Sequence, residues 1–346
     1  MLEQKGRVIP AKTIPPTIEQ VRKAMTLFAV NKFDDYDNHM FKTGHYLQMN
    51  AGLSAACTNG HLMPNRLGDF ACGTGVVMSH VISSLLKDEI VNPTSKGPIT
   101  IYGIDTTESV MAICQARVFR RISKLIHHAR SDDRLSVYAV ESGSRMTVRL
   151  DLSILIREKQ EKMYDEVILY RDISDTLDGK TILRPTELLR VKFILEDVTN
   201  LSPGTLIMLQ GLNTILVSYG FHWFIDKSAV ATTISNLLAP EGRFISIEEW
   251  DLRVTPPRSN SISSEELAFH KELADAIEGV TTPIQVPKEL YSLFARNGLS
   301  IVPFTNVPGA LPYFKNSIDG HHDMFFGVFR KPAALTSGTS GSQHES

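Results

Sequence analysis

The segment from Leu67 to Gly75 combines a short apolar run, a carboxylate at Asp69 and a glycine-rich turn. An apolar stretch typical of a helix, 76–86, follows it directly. A strand, a glycine turn and a helix in this order form a ligand cradle at the carboxyl end of a parallel strand. Glycine lets the backbone approach a ligand closely, and the first helical turn presents free N–H groups to it. The sequence therefore predicts a nucleotide-like ligand at this turn.

Two common kinds of glycine-rich turn do not fit these residues. A phosphate loop needs Lys followed by Ser or Thr after its last glycine, and Gly75 is followed by Val76 and Val77. A dinucleotide fingerprint needs a third glycine three residues after Gly75, where this chain has Met78. The turn is therefore of another kind.

The elements around the turn alternate between strands and helices. Apolar runs ending in or followed by polar residues predict five strands, at 66–70, 99–105, 191–195, 214–218 and 243–247. Helical patterns separate several of them, including 108–129 and 228–238. Alternation of this kind indicates right-handed βαβ units and a parallel sheet.

The remaining segments are predicted to lie around that sheet. Residues 1–60 read as an N-terminal helical extension or lid, with a capping box from Thr17 to Gln20. Residues 131–190 interrupt the rhythm and predict an insertion that begins with a hairpin, 135–140 and 146–156. Further along the chain we expect helices at 263–278 and 288–296, a terminal antiparallel pair at 300–304 and 324–330, and a disordered tail at 333–346.

Several of these positions resemble the class I S-adenosylmethionine-dependent methyltransferases. Asp69, Gly73 and Gly75 match the family's first motif, (D/E)-x-G-x-G-x-G, and Ala71 stands where the first glycine usually lies. The run 218–224 resembles the S-x-x-x-H-(H/W)-(F/V) pattern of many small-molecule members. The run 237–243 resembles the L-L-x-P-G-G-x turn before the fifth strand, with Glu241 in place of a glycine.

The resemblance implies an α/β fold over 61–332. It would be a Rossmann-like, seven-stranded, mostly parallel sheet with helices on both faces and an antiparallel terminal strand pair, to which the N-terminal helices and the inserted region are added. It also implies S-adenosyl-L-methionine as cofactor and S-adenosyl-L-homocysteine as product. In the family an acidic residue after the second strand binds the ribose hydroxyls and one after the third lies near the adenine, roles that fall on Asp105 and Asp197. The cofactor-binding residues expected from the resemblance are Asp69, Ala71, Cys72, Gly73, Gly75, Asp105, Thr106, Asp197, Val198, Ser218 and Phe221.

Methyl transfer needs a base only if the acceptor must lose a proton. His222, after the fourth strand, is the first candidate, and its alternative role is to shape the cofactor pocket by packing. Glu248 and Glu249, just after the fifth strand, are the second candidates, and Glu249 could orient an acceptor group or be part of a solvated strand end.

Aromatic side chains at these strand ends suit an apolar or aromatic acceptor. We assign Tyr219, Trp223 and Trp250 to acceptor binding, and such rings could also hold a sulfonium by cation–π contact. A metal site is not expected, because the adjacent residues His321 and His322 would point to opposite faces of a strand.

Composition narrows the class of protein. The net charge of −2 lacks the basic excess of a nucleic-acid-binding domain. The three cysteines form no paired motif, so we expect a reducing, cytoplasmic setting without disulfides. The stretch between Asp197 and Asp226 has no Asp, Glu, Lys or Arg and is long enough to suggest a membrane span. Its turn residues and amides would lack hydrogen-bond partners in a bilayer, so we expect a buried strand instead.

Three functions follow from these observations. The first is methyl transfer to an O or N atom of a small metabolite of specialised metabolism. The second keeps the chemistry with RNA or protein as acceptor, against which the near-neutral charge speaks. The third is a methyltransferase-fold protein repurposed as a partner subunit or for a cofactor-assisted rearrangement, suggested by Ala71, Glu241 and the insertion. The N-terminal helices and the insertion offer surfaces for a homodimer.

Overall fold

The protein is described from a computed structural model. The residues it describes are 16–26, 40, 45–63, 65–91, 97–128, 135–144, 146–151, 162–177, 180–249, 264, 268, 288–302, 313–314 and 324–333. The predicted tail beyond 333 and most of the predicted helix at 263–278 lie outside them.

Seven helices and eleven strands are formed by the described residues. The helices are α1 (Ile18–Thr26), α2 (His45–Thr58), α3 (Val76–Val91), α4 (Glu108–His128), α5 (Pro203–Leu209), α6 (Lys227–Leu237) and α7 (Lys288–Arg296). The strands are β1 (Arg66–Phe70), β2 (Ile99–Asp105), β3 (Leu135–Glu141), β4 (Thr147–Arg149), β5 (Tyr164–Leu177), β6 (Lys180–Leu195), β7 (Leu212–Ser218), β8 (Leu238–Glu249), β9 (Ser300–Ile301), β10 (Tyr313–Phe314) and β11 (Met324–Arg330).

All of these strands join one sheet. Its order is β10-β11-β8-β7-β1-β2-β6-β5-β3-β4, and β9 pairs with β11. The strands β6, β2, β1, β7 and β8 are parallel to one another, and β11 is antiparallel to β8 and β9. The predicted α/β class, with its mostly parallel sheet and antiparallel terminal pair, is confirmed, but the sheet of the described residues has eleven strands where seven were expected.

The predicted insertion extends this sheet. The hairpin of β3 and β4 forms as expected, although β4 ends at Arg149. The two long strands β5 and β6 pair along most of their length, from Glu166 opposite Lys192 to Leu177 opposite Lys180. The expected start of the third strand at residue 191 was therefore wrong, because 180–190 continue the same strand and pair with β5.

Local signals explain where several helices begin and end. The backbone N–H of Thr17 donates to Gln20 Oε1 at 2.8 Å and that of Gln20 donates to Thr17 Oγ1 at 3.3 Å, so the predicted capping box precedes α1. Helix α5 was not predicted. Its signal is the pair Ser202 and Pro203, because the Ser202 side chain accepts from the backbone of Thr205 and proline favours the first helical position.

Helices cover both faces of the sheet and create two apolar cores. The first core packs α2, α3 and α4 against one face and includes Leu67, Met78 and Phe119. The second packs α6 and α7 against the other face, around Ile215, Phe244 and Phe294. Among the described residues, no helix combines the length and the apolar character that a membrane span requires.

Candidate cofactor and acceptor cleft

A cleft lies at the carboxyl ends of the parallel strands, where β1, β2, β6 and β7 end beside one another. It encloses about 1050 Å³ of space, the open volume at its mouth included. The glycine turn, the residues that follow β2, β6 and β7, and the helices α1 and α2 line it. Of the predicted cofactor and acceptor residues, the lining includes Ala71, Cys72, Gly73, Asp105, Thr106, Asp197, Val198, Ser218, Tyr219 and Trp223.

The glycine turn is bonded to the neighbouring strand. The N–H of Cys72 donates to the carbonyl of Ile104 at 3.0 Å, and the N–H of Gly73 donates to Asp105 Oδ2 at 3.0 Å. Gly75 has φ of +77° and lies against α4, where a Cβ would be 2.7 Å from Cys114 Sγ. Glycine is therefore required at position 75 by close packing, on the side of the turn away from the cleft.

Ala71 adopts a left-handed conformation with φ of +57°. This is the position at which the resemblance has a glycine. A residue with a Cβ pays about 1–2 kcal/mol for that conformation, so the alanine keeps the geometry of the motif at a cost in stability.

Ala71→Gly is expected to stabilise the protein by roughly 0.5–1 kcal/mol, because relief of the left-handed strain exceeds the entropy that glycine loses on folding. Urea unfolding of the purified variant measures it. Ala71→Val, which puts a β-branched residue at the same φ, should destabilise. Equal stability of all three proteins would contradict the strain at this residue.

Asp105, at the end of β2, is buried and uses both carboxylate oxygens. Oδ2 accepts from Gly73 as described, and Oδ1 accepts from the N–H of Thr107 at 3.0 Å. Burial raises the pKa of Asp105, and the backbone donors Gly73 and Thr107 oppose that rise. Each oxygen has a further lone pair, so the carboxylate can still accept from a ligand in the cleft.

Asp69, at the end of β1, is not part of the cleft lining. Its side chain is 1% exposed, and neither carboxylate oxygen has a hydrogen-bond partner among the described residues. Burial and the nearby charge of Asp105 raise its pKa to about 8. The carboxyl group is therefore protonated over much of the pH range in which an ordinary aspartate is charged.

The residues after β6 form a short turn at the cleft. Asp197 Oδ1 accepts from the backbone N–H of Thr199 at 2.9 Å and from its hydroxyl at 2.8 Å, which starts a 3₁₀ turn at Val198. Val198 is buried and lines the cleft. The carboxylate of Asp197 and the apolar side chain of Val198 thus lie together at the cleft.

The residues after β7 divide between the cleft and the core. Ser218 lines the cleft and donates to Met49 Sδ at 3.4 Å. Phe221 is 0% exposed and lies in the second core, with its ring 5.5 Å from that of Phe294. Phe221 therefore does not reach the cleft from this position.

The candidate base His222 does not belong to the described lining of the cleft. His222 is 7% exposed, its ring lies 5.2 Å from that of Trp223, and its Nδ1 is 3.5 Å from Glu248 Oε2. Glu249 is the last residue of β8. Trp250 lies outside the described residues.

The N-terminal helices supply an apolar wall that the sequence did not identify. Ile18, Val21 and Met25 of α1 line the cleft together with Tyr46 and Met49 of α2. Val21 also packs with Trp223 in a small separate core. The helical spacing of 18, 21 and 25 was visible in the sequence, but such a stripe by itself indicates only burial.

Electrostatically, the cleft is acidic. The charged side chains in its described lining are Asp105, Glu196 and Asp197, and no Lys, Arg or His is found there. The described part of the chain also contains no group of three or more His, Cys, Asp or Glu side chains arranged to hold a metal ion.

Comparisons with known proteins find similarity among solved structures only. No family model and no curated protein matches the chain. Among solved structures, magnesium protoporphyrin IX methyltransferase of Synechocystis PCC 6803 with bound SAH is similar over 90% of this chain and 99% of its own, with 11% identity and a TM-score of 0.46. The plantazolicin methyltransferase BamL with SAH is similar over 90% and 96%, with 14% identity and a TM-score of 0.47. At this level of identity the comparison bears on no individual residue of the cleft.

Proposed function

We propose that the chain is a class I methyltransferase that uses S-adenosyl-L-methionine to methylate an O or N atom of a small, apolar or aromatic molecule. The observation that carries this proposal is the charge of the cleft. Its described charged side chains, Asp105, Glu196 and Asp197, are all carboxylates beside a glycine turn. A nucleoside phosphate would favour cations at this place, whereas S-adenosylmethionine has a net positive charge, because its sulfonium and ammonium groups outnumber its one carboxylate.

The residues of the cleft fit the parts of this cofactor. Asp105 has acceptor capacity for the two hydroxyls of a ribose. Val198 and Asp197 offer an apolar surface and a carboxylate for an adenine ring and its amino group. The positive φ angles at Ala71 and Gly73 bring the backbone of the turn to the cleft wall without a bulky side chain in the way.

The chain's contribution to the reaction is mainly to position the reactants. When bound, S-adenosylmethionine supplies a sulfonium methyl that is already activated for in-line displacement. Holding an acceptor atom in line with that methyl can supply most of the acceleration. The hydroxyl groups of Tyr46, Ser218 and Tyr219 and the indole of Trp223 line the cleft and could orient an acceptor.

The apolar wall formed by α1 and α2 also restricts which acceptor molecules can bind in the cleft. Ile18, Val21, Met25 and Met49 present apolar surface to the cleft. Burying a carboxylate against such a wall without a cation is unfavourable, and no cationic side chain lies in the described lining. The acceptor that fits is therefore a molecule without a negative charge near its reacting atom.

Asp105→Asn is expected to weaken S-adenosylmethionine binding roughly ten- to a hundredfold, because hydrogen bonds to a charged acceptor contribute about 1.5–3 kcal/mol. Calorimetric titration of the purified variant measures the change. Asp165→Asn, at an exposed residue of β5, is the matched control and should bind as the native protein does. Absence of binding to the native protein at millimolar cofactor would overturn the proposal.

A further inference from the structure

The loop that follows β7 forms one wall of the cleft. We name residues 219–225 the cleft loop, of which Tyr219, Gly220, Trp223, Phe224 and Ile225 line the cleft. It begins with Tyr219 at a φ of +51°, a conformation that residues with side chains rarely adopt. Such a conformation persists only where surrounding contacts enforce it.

Glu248 of β8 supplies those contacts. Its side chain is 1% exposed, and its Oε1 accepts from the backbone N–H groups of Gly220 at 3.1 Å and Phe221 at 3.0 Å. Its Oε2 lies 3.5 Å from His222 Nδ1. One buried carboxylate therefore contacts three consecutive residues of the cleft loop, directly after the strained Tyr219.

The loop so held also meets the glycine turn. A Cβ on Gly220 would lie 2.7 Å from Val217 Cγ1 and 3.3 Å from the Cβ of Ala71. The backbone of the loop thus packs closely on the turn that carries Ala71. A shift of the loop would therefore disturb the turn as well as the wall formed by Trp223.

We propose that Glu248 is a positioning residue of the cleft. Its carboxylate does not touch a ligand but acts through the backbone of the cleft loop, fixing Tyr219 and Trp223 against the cleft and Gly220 against the glycine turn. The sequence suggested Glu248 and Glu249 as candidate bases, with an acceptor-orienting role for Glu249, and the observed hydrogen bonds give Glu248 a different task. The inference rests on the proposed function only where it treats the cleft as the site of cofactor and acceptor.

Fluorescence of Trp223 can report the position of the loop. The chain has two tryptophans, so a Trp250→Phe background leaves Trp223 alone. In this background Glu248→Ala removes the carboxylate oxygen that accepts both hydrogen bonds, and we expect acrylamide quenching of Trp223 to rise roughly twofold as the loop opens locally. Glu248→Gln, whose amide oxygen can accept from the same backbone donors, should restore most of the native quenching.

Glu166→Ala in the same background is the matched control. Glu166 is a buried carboxylate of β5 that is paired with Lys192 at 3.1 Å, away from the cleft. It should lower stability without changing the quenching of Trp223. If Glu248→Ala behaves in the same way, Glu248 only stabilises the fold and the proposal is wrong.

Two further measurements keep the test decisive. If Glu248→Ala does not fold, Glu248→Asp replaces it, since the shorter side chain cannot reach both donors. Equal, native-like quenching in the Asp and Gln variants would then overturn the proposal. Titration with S-adenosylhomocysteine should show weaker binding to the Ala or Asp variant than to the Gln variant. Failure of the unmodified protein to bind this probe would count against the proposed function but not against the quenching result.

Discussion

Asp69→Asn is expected to flatten a decline in stability that the native protein shows as the pH rises from about 4 to about 8. Asp69 is buried without a hydrogen-bond partner among the described residues, and its pKa is raised from 3.8 to about 8 by burial and by Asp105. Between these two values the folded protein retains a proton that the unfolded chain has released. Stability must then fall as the pH rises, by at most about 1.4 kcal/mol per pH unit.

The size of this effect can be bounded. Because the pKa of Asp69 rises from 3.8 to about 8, the loss of folding stability between these two pH values has an upper limit of about 6 kcal/mol. Burial also raises the pKa of Asp105, so a smaller decline of the same sign should remain in the variant. Asparagine cannot ionise, and above pH 7 we therefore expect the variant to be more stable than the native protein by roughly 2 kcal/mol or more.

Urea unfolding of native protein and variant at pH 5, 6.5 and 8, without ligand, measures this difference. Asp165→Asn, at an exposed carboxylate, should keep the native pH dependence. Parallel curves for the native protein and Asp69→Asn would show that Asp69 is ionised in the folded state like an ordinary aspartate, and would contradict its raised pKa.

The central sheet could be predicted because its strands carry local signals. β1 and β2 have the predicted bounds, 66–70 and 99–105, since each is a short apolar run bounded by polar or turn residues. The parallel arrangement of these strands was expected from the alternation of strands and helices in βαβ units. The extension of the sheet by β5 and β6 was harder to predict. Nothing local in 164–190 shows that its residues pair as two long antiparallel strands, because that pairing is a contact between distant residues.

The cleft likewise contains residues that the sequence singled out and others that it did not. Asp105, Asp197 and residues 71–74 of the glycine turn, which the sequence singled out because they follow strands directly, line the cleft. The sequence analysis did not predict the apolar wall that α1 contributes to the cleft, nor the hydrogen bonds from the cleft loop to Glu248. Both depend on how segments pack against the sheet, and neither leaves a pattern distinguishable from ordinary core residues. The strain at Ala71 and Glu241, in contrast, could be expected from the sequence. Both residues stand where the resemblance has a glycine, and both adopt positive φ, +57° and +65°.

Gly75→Ala is expected to destabilise the protein by about 2–5 kcal/mol. The φ of +77° costs a residue with a Cβ about 1–2 kcal/mol. The added Cβ would also lie 2.7 Å from Cys114 Sγ and 3.1 Å from Cys114 Cα, so α4 would have to move. Overpacking of this kind costs roughly 1–3 kcal/mol more. Urea unfolding gives the loss, and Cys114→Ala should recover only part of it, because the contact with Cα remains.

Gly73→Ala is the matched control for Gly75→Ala. The two glycines belong to the same turn, but Gly75 packs on α4 whereas Gly73 faces the cleft, so the pair separates the effect of packing from the effect of ligand contact. Gly73 has φ of +52°, but the nearest atom to a Cβ there is the Ala71 carbonyl oxygen at 4.0 Å, so only strain of about 1–2 kcal/mol is expected. Gly73 lines the cleft and Gly75 does not. Gly73→Ala should therefore weaken cofactor binding more than Gly75→Ala does, while Gly75→Ala should lower stability more. A reversal of either order would mean that the turn packs on α4 differently from the contacts described for Gly75.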